Sequence, residues 1–169
     1  MKVLLVNGSP HKDGCTFRAL QEVANTLEQE GIATENFWVG AKAVGGCMGC
    51  FKCEKRGSCI IEDGVNEFRQ KAYEADGFVF GSPTHYGGMS GNLVGFMDRL
   101  FFSEFIGNAN KAFYLKPAAA EVEQDGEGLF NMRVLGRYMA YFLKCKEAAQ
   151  KLGVPLPHME PPTFTNFVR

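Results

Sequence analysis

A short apolar run near the start of the chain passes directly into a loop of small and hydroxyl-bearing residues. The run is Val3-Leu4-Leu5-Val6, and the loop reads VNGSPHKDGCT over residues 6–16. A continuous apolar run of this length is typical of a strand that is buried on both faces of a parallel sheet. Apolar residues with helical spacing follow the loop, at Phe17, Leu20, Val23, Ala24 and Leu27. The pattern therefore predicts a strand, a loop and a helix, the unit from which parallel α/β sheets are built.

The same alternation continues along the chain. Strands are predicted at residues 2–7, 32–38, 77–81 and 111–120, and helices at residues 16–30, 63–75, 90–102 and 123–152. Alternating polarity in residues 32–38 favours an edge strand. Asp63 is a suitable N-cap for its helix, and Gly31 is expected to end the first helix. In the last helix, one apolar face is expected to contain Leu129, Met132, Leu135, Met139 and Phe142. We therefore expect an open parallel α/β sheet covered by helices.

Chain length, net charge and the lengths of the apolar segments limit the classes of protein to which the chain can belong. A chain of 169 residues with a net charge of −1 predicts a single domain over residues 1–169, with no bias towards nucleic acid or an anionic membrane surface. The first apolar run ends at Asn7-Gly8, which is too early for a signal peptide, and no segment has the length of a membrane span. We therefore expect a cytoplasmic protein that does not bind membranes.

The first loop has the features of a phosphate site. Ser9 and Thr16 offer hydroxyl groups, Gly14 permits a positive φ, and the helix that follows offers free backbone N–H groups. A nucleoside triphosphate loop would need a lysine where Cys15 stands, and the dinucleotide fingerprint G-x-G-x-x-G is absent. An ordinary strand-to-helix turn with hydroxyl caps remains the alternative.

A second loop, GSPTHYGGMSG at residues 81–91, also follows a predicted strand and precedes a helix. Thr84, His85 and Tyr86 supply polar and aromatic groups, and Gly87 with Gly88 lets the backbone approach a flat ligand closely. Tyr86 is expected to be exposed, although a place at the edge of the core is the alternative. Because the carboxyl ends of parallel strands share one edge of a sheet, the two loops are expected to meet there.

Taken together, GSPHKDGCT and GSPTHYGGMSGNLVGFMDRL resemble the NADPH-dependent FMN reductase and iron–sulfur flavoprotein families. The resemblance covers most of the chain and implies a flavodoxin-like three-layer sandwich with an open parallel sheet. It implies that the first loop holds the FMN phosphate through Ser9, His11, Gly14, Cys15 and Thr16. It also implies that the second loop contacts the ring or the ribityl chain through Pro83, Thr84, His85, Tyr86 and Gly87. No side chain is expected to act as a separate acid or base catalyst.

Four of the six cysteines form the pattern C-x2-C-x2-C-x5-C: Cys47, Cys50, Cys53 and Cys59. Closely spaced cysteines can reach separate irons of a 4Fe–4S cluster, whereas zinc usually takes two well-separated pairs. The spacing resembles the compact motif of iron–sulfur flavoproteins. Zinc, reduced structural thiols and a lost cluster remain alternatives, as does a phosphatase-type C-x5-R loop from Cys50 to Arg56. Cys145 is expected in the core or an interface.

The resemblance implies an FMN-dependent oxidoreductase that takes electrons from NAD(P)H or from a ferredoxin-type donor and passes them to a small-molecule acceptor. An electron carrier without substrate turnover and a zinc-stabilised binding module are the alternatives. The resemblance also implies a homodimer or homotetramer, with Phe101, Phe102 and Phe105 as candidates for the interface or the core. Because a flavodoxin-like sheet has five strands and only four are found, we predict that a segment containing a strand is missing between Ala120 and Glu121.

Overall fold

The computed structural model describes residues 1–109, 111–114, 116–121 and 126–156. In chain order the elements are β1 (Lys2–Asn7), α1 (Cys15–Gln29), β2 (Ala33–Trp38), α2 (Cys53–Arg56), α3 (Gly64–Glu74), β3 (Gly77–Gly81), β4 (Thr84–His85), β5 (Gly88–Met89), α4 (Gly91–Asn108), β6 (Ala118–Glu121) and α5 (Gly126–Lys151). Among the helices in this part of the chain, none combines the length and the apolarity that crossing a bilayer requires.

The main sheet is parallel and has the strand order β2-β1-β3-β6. β1 lies inside the sheet, and Leu4 is aligned with Glu35 of β2 and Phe78 of β3. The apolar run that opens the chain is completely buried, as expected of a strand covered on both faces. β2 lies at the edge, which confirms the prediction made from its alternating polarity.

Helices cover both faces of this sheet. On one face, Val3 and Leu5 pack into a core with residues of α1 and α5. On the other, Leu4 and Val6 join a core with residues of α3 and α4. The second core is rich in aromatic rings, and the Phe68 ring lies edge-on to that of Phe96 at 5.3 Å between centroids. The expected α/β three-layer sandwich with an open parallel sheet is therefore confirmed.

The predicted strand over residues 111–120 is wrong in its first part. Residues 111–114 form turns, and β6 begins after Pro117, whose carbonyl oxygen accepts a hydrogen bond of 3.0 Å from the Phe78 amide. Phe113 packs its ring at 4.8 Å from that of Phe78. The apolar residues of this segment therefore lie in a turn, from which Phe113 packs against the core.

Two predictions for the later helices need correction. α4 runs to Asn108, six residues beyond its predicted end at residue 102. In α5, Met132 and Met139 are buried as expected, but Phe142 is 59% exposed and Leu143, only 2% exposed, replaces it in the core. Leu143 follows Met139 by four residues, so both lie on the same face of the helix.

Four further side chains, one cysteine and three phenylalanines, have mixed outcomes. Cys145 is exposed, so it does not lie in the core, and its alternative place in an interface stays a prediction. Phe101 packs against Phe80 and Phe113 at the margin of the aromatic core, and Phe102 lies edge-on to Phe51. Phe105 is exposed.

Candidate functional site

The two glycine-containing loops lie side by side at the carboxyl edge of the sheet. The Gly8 amide donates a hydrogen bond of 2.8 Å to the Gly81 carbonyl. The Ser90 hydroxyl donates to the Gly8 carbonyl at 2.7 Å, and the Ser90 amide donates to Ser82 Oγ at 2.8 Å. Ser82 and Ser90 are both buried. The loops are therefore fixed to each other, as their positions after parallel strands predict.

A cleft of about 530 Å³ opens between these loops, within the range usual for small-molecule sites. Eight of the predicted cofactor residues line it: Ser9, His11, Gly14, Cys15, Thr16, Pro83, Thr84 and His85. Ala19, Leu20 and Met132 add an apolar part to the wall. The cleft thus joins a polar end at the first loop to a more apolar surface.

The N-terminus of α1 forms the polar end of the cleft. Its N-cap is Gly14, which supplies no capping side chain, and its first turn contains no acidic residue. By contrast, Asp63 caps α3 and Ser90 caps α4 through their side chains. The first amides of α1 and the positive end of its dipole are consequently suited to an external anion.

The role predicted for the Gly14 backbone is wrong in one respect. Its φ is −82°, an extended conformation that does not require glycine. The constraint at this position is space, because a Cβ on Gly14 would lie 3.2 Å from the Cβ of His11. Glycine therefore keeps the turn compact in front of the helix.

Two residues that the sequence patterns do not identify hold the first loop in place. Asn7 accepts a hydrogen bond of 2.9 Å from the Ser9 amide and donates one of 2.9 Å to the Lys12 carbonyl. Trp38, at the end of β2, donates from Nε1 to the Ser9 carbonyl at 2.8 Å. Ser9 Oγ accepts from the His11 amide at 3.1 Å, so its proton is available to a ligand. A polar residue ending a buried strand is the signal that could have identified Asn7.

The second loop is a short β-hairpin rather than an irregular loop. Thr84 pairs with Met89, and His85 pairs with Gly88. The two residues between these pairs, Tyr86 and Gly87, have φ values of 49° and 78°. Two positive φ values are typical of a type I′ turn. Tyr86 is fully exposed as expected, and neither it nor Gly87 lines the cleft; their predicted contacts with a cofactor stay predictions.

All four cysteines of the compact motif line one small pocket, together with Arg99 and Phe102. Cys53 begins the short helix α2, which was not predicted, and is buried; Cys50 is exposed. Burial raises the pKa of the Cys53 thiol, and the nearby sulfurs of the other three cysteines add to the effect. Over the described residues, no three His, Cys, Asp or Glu side chains are arranged to hold a single metal ion. The assignment of Cys47, Cys50, Cys53 and Cys59 as ligands stays a prediction.

Helix α4 holds the segment of residues 40–62 that carries the four cysteines, the cysteine loop, through two adjacent side chains. Asp98 Oδ2 accepts a hydrogen bond of 2.7 Å from the Cys47 amide, and Arg99 Nε donates to Cys59 Sγ at 3.3 Å. Further along the helix, Asn108 donates to the Gly57 carbonyl at 2.7 Å. A charged pair inside the apolar sequence GFMDRLFF is the signal that could have identified Asp98 and Arg99.

Among curated proteins, the chain is similar to iron–sulfur flavoproteins. It is 41% identical over 99 residues to one from Methanocaldococcus jannaschii, an alignment that covers 59% of this chain and 51% of that protein. It is 29% identical over 123 residues to one from Clostridioides difficile, with 71% of this chain and 52% of that protein covered. The chain thus spans about half the length of these curated relatives.

Solved structures show the same fold at low sequence identity. An NAD(P)H:quinone oxidoreductase from Methanothermobacter marburgensis matches with a TM-score of 0.60 and 15% identity, over 82% of this chain and 96% of that one. An archaeal flavodoxin matches with a TM-score of 0.51 and 16% identity, over 85% of this chain and 99% of that one. The family model described as NADPH-dependent FMN reductase matches residues 1–133. This match includes both loops and the cysteine motif, and the chain therefore belongs to the NADPH-dependent FMN reductase family.

Proposed function

We propose that this protein is an FMN-dependent oxidoreductase that passes electrons from NAD(P)H, or from an iron–sulfur donor, to a small acceptor. The observation that carries the proposal is the cleft between the two loops, which opens at the N-terminus of α1. That helix end has free amides and no acidic residue in its first turn, which suits a phosphate group. Membership of the family adds independent support.

In this proposal, the phosphate of FMN lies against the first loop. Ser9 and Thr16 donate hydroxyl protons, the Cys15 and Thr16 amides donate from the start of α1, and His11 closes the side of the site. Pro83, Thr84 and His85 contact the ring or the ribityl chain, with Tyr86 and Gly87 at the tip of the hairpin. When bound, FMN supplies the hydride and electron chemistry, while the protein orients it and sets its surroundings.

Binding of FMN compared with riboflavin tests the phosphate site. FMN is expected to bind more tightly than riboflavin, which lacks the phosphate. Thr16→Ala is expected to weaken FMN binding about tenfold or more, because a hydrogen bond to a charged group contributes about 1.5–3 kcal/mol. Riboflavin binding should hardly change. Titration followed by flavin fluorescence measures all of these affinities.

The matched control is Thr34→Ala, which also removes a threonine hydroxyl group. Thr34 lies at the amino-terminal end of β2, away from the carboxyl edge of the sheet where the cleft opens. It should leave FMN binding unchanged. Equal affinities for FMN and riboflavin would contradict the phosphate site. Anaerobic oxidation of NADPH or NADH in the presence of FMN and a quinone acceptor then tests the oxidoreductase activity.

A second candidate is an electron carrier that combines FMN with a 4Fe–4S cluster. The observation that favours it is the convergence of four cysteine side chains on one pocket. A cluster distributes four thiolates over separate irons, so it does not require the sulfurs to surround one ion. Anaerobic reconstitution with iron and sulfide, followed by iron counting and electron paramagnetic resonance (EPR), tests this. Colourless protein with stoichiometric zinc would favour a zinc-stabilised module.

A further inference from the structure

We propose that Arg99 is a positioning residue for the cysteine pocket, where it holds the Cys59 sulfur and raises the reduction potential of a bound iron–sulfur cluster. The inference rests on the second function proposed above, because it requires a cluster on the cysteines. It assigns a role to a buried cation that flavin binding does not use.

Arg99 is fixed by three partners. Only 1% of its side chain is exposed, although it belongs to α4 near the surface loop of cysteines. Its two terminal nitrogens each donate at 2.7 Å to one oxygen of Asp63, and one of them also donates to the Ile61 carbonyl at 3.2 Å. The remaining donor, Nε, contacts Cys59 Sγ at 3.3 Å. A bidentate arginine–carboxylate pair has a fixed geometry, so the guanidinium directs Nε–H at the sulfur.

The backbone of Cys59 is held as firmly as its sulfur. The Cys59 amide donates to Asn66 Oδ1 at 3.1 Å, and Asn66 Nδ2 donates to the Cys59 carbonyl at 2.9 Å. Asn66 belongs to α3, whereas Arg99 belongs to α4, so two helices fix this cysteine from separate directions. The position of Cys59 is therefore set by the fold, whether or not a cluster is bound.

A donor at this sulfur has an electrostatic consequence. Reduction of a 4Fe–4S cluster adds one electron, and no covalent bond to the protein forms or breaks. The added negative charge spreads over the cluster and its thiolates, so a hydrogen bond from a cation stabilises the reduced form more than the oxidised form. Arginine is not deprotonated in proteins, so the Arg99 side chain stays charged beside the pocket.

The test measures the midpoint potential of the reconstituted cluster by EPR during a dithionite titration. Arg99→Gln removes the charge and the donor at Cys59, and its potential should be more negative than that of the wild type. Arg56→Gln is the matched control, because Arg56 lies in the same loop but bonds to Ser58 and pairs with Glu62. Its potential should change little, since an exposed charge is screened by solvent.

Two further variants distinguish an electrostatic role of Arg99 from a general loss of folding. Asp63→Asn keeps an N-cap for α3 but leaves the Arg99 charge uncompensated, so its potential should shift in the positive direction. The double variant Arg99→Gln with Asp63→Asn leaves no unpaired charge beside the pocket. If Arg99→Gln alone does not fold, the midpoint potential of this double variant should still be more negative than that of the wild type.

The outcomes distinguish the two proposals. Wild-type protein that takes up no iron overturns both the cluster and the role of Arg99, while FMN binding is unaffected. A full cluster whose potential is equal in the wild type and in the Arg99 variants overturns the role of Arg99 alone. Opposite shifts for Arg99→Gln and Asp63→Asn, with the Arg56 control unchanged, support it.

Discussion

At the scale of single residues, Glu35 connects three elements at the edge of the sheet. It lies on β2 and pairs with Lys2 of β1 and, at 2.8 Å, with Lys71 of α3. Hydrogen bonds from these two lysines hold the pKa of the Glu35 carboxyl below its ordinary value, against the opposing effect of burial. Because the folded protein favours the ionised form, this carboxylate stabilises the fold above the pKa of the unfolded chain.

Glu35→Gln is expected to lower the free energy of unfolding at pH 7 by about 1 kcal/mol or less, as for other partly exposed ion pairs. The difference from the wild type should shrink as the pH falls below about 4.3, the ordinary pKa of glutamate, and vanish below the folded pKa. Urea unfolding at several pH values measures it. Glu74→Gln, an exposed glutamate of α3, is the control and should show a smaller effect.

Residues that act through local geometry could be predicted from the sequence, whereas those that act across the fold could not. Ser9 and Thr16 follow a buried strand and flank the start of a helix, so their position at an anion site follows from chain order. Trp38 and Arg99 contact residues 29 and 40 positions away, respectively. No spacing rule connects such pairs, because their proximity depends on how the helices pack on the sheet.

At the scale of elements, α4 supports both candidate sites. Its N-cap, Ser90, donates to the backbone of the first loop, and one turn later Gly95 packs against the cysteine loop. A Cβ on Gly95 would lie 2.5 Å from the Val44 carbonyl oxygen, closer than atoms can approach without movement. Glycine at this position therefore allows the loop to lie directly on the helix.

Gly95→Ala is expected to destabilise the protein. Alanine favours a helix interior over glycine by about 1 kcal/mol, but the overlap with backbone costs about 1–3 kcal/mol. Gly91→Ala is the matched control, because no neighbouring atom lies within 4 Å of its added Cβ. The urea midpoint should fall for Gly95→Ala and stay equal or rise for Gly91→Ala. A midpoint that rises in both variants would show that the loop moves aside.

Elements with a clear apolar pattern begin where the sequence predicts, although α4 runs past its predicted end, and the shortest elements are missed. β1, β3 and the start of α3 lie within one residue of their predicted bounds. The helix α2 has four residues and each strand of the hairpin has two, too few for a period to appear. The hairpin depends on positive φ at Tyr86, a conformation that tyrosine rarely adopts and that its sequence does not signal.

At the scale of the whole molecule, the described residues form a four-stranded sheet in the order expected of a flavodoxin-like fold, and this part of the chain supplies no fifth strand. β6 crosses the junction of Ala120 and Glu121, where the resemblance implies further residues. We still propose that the natural protein carries such a segment. An intact mass several kilodaltons above 18.7 kDa, measured on protein from its source, is the expected result; a mass of 18.7 kDa would contradict it.

Ser90 binds the first loop, while Asp98 and Arg99 bind the cysteine loop. Both sets of contacts therefore depend on the rotation about the axis of α4 that separates Ser90 from Asp98 and Arg99. Adding one residue between these anchors would rotate the distal pair by about 100° around the helix axis. The contacts of α4 with the first loop and its contacts with the cysteine loop could not then form at the same time. We therefore expect an insertion or a deletion between Ser90 and Arg99 to break the contacts of one of the two regions, whichever residue is added or removed.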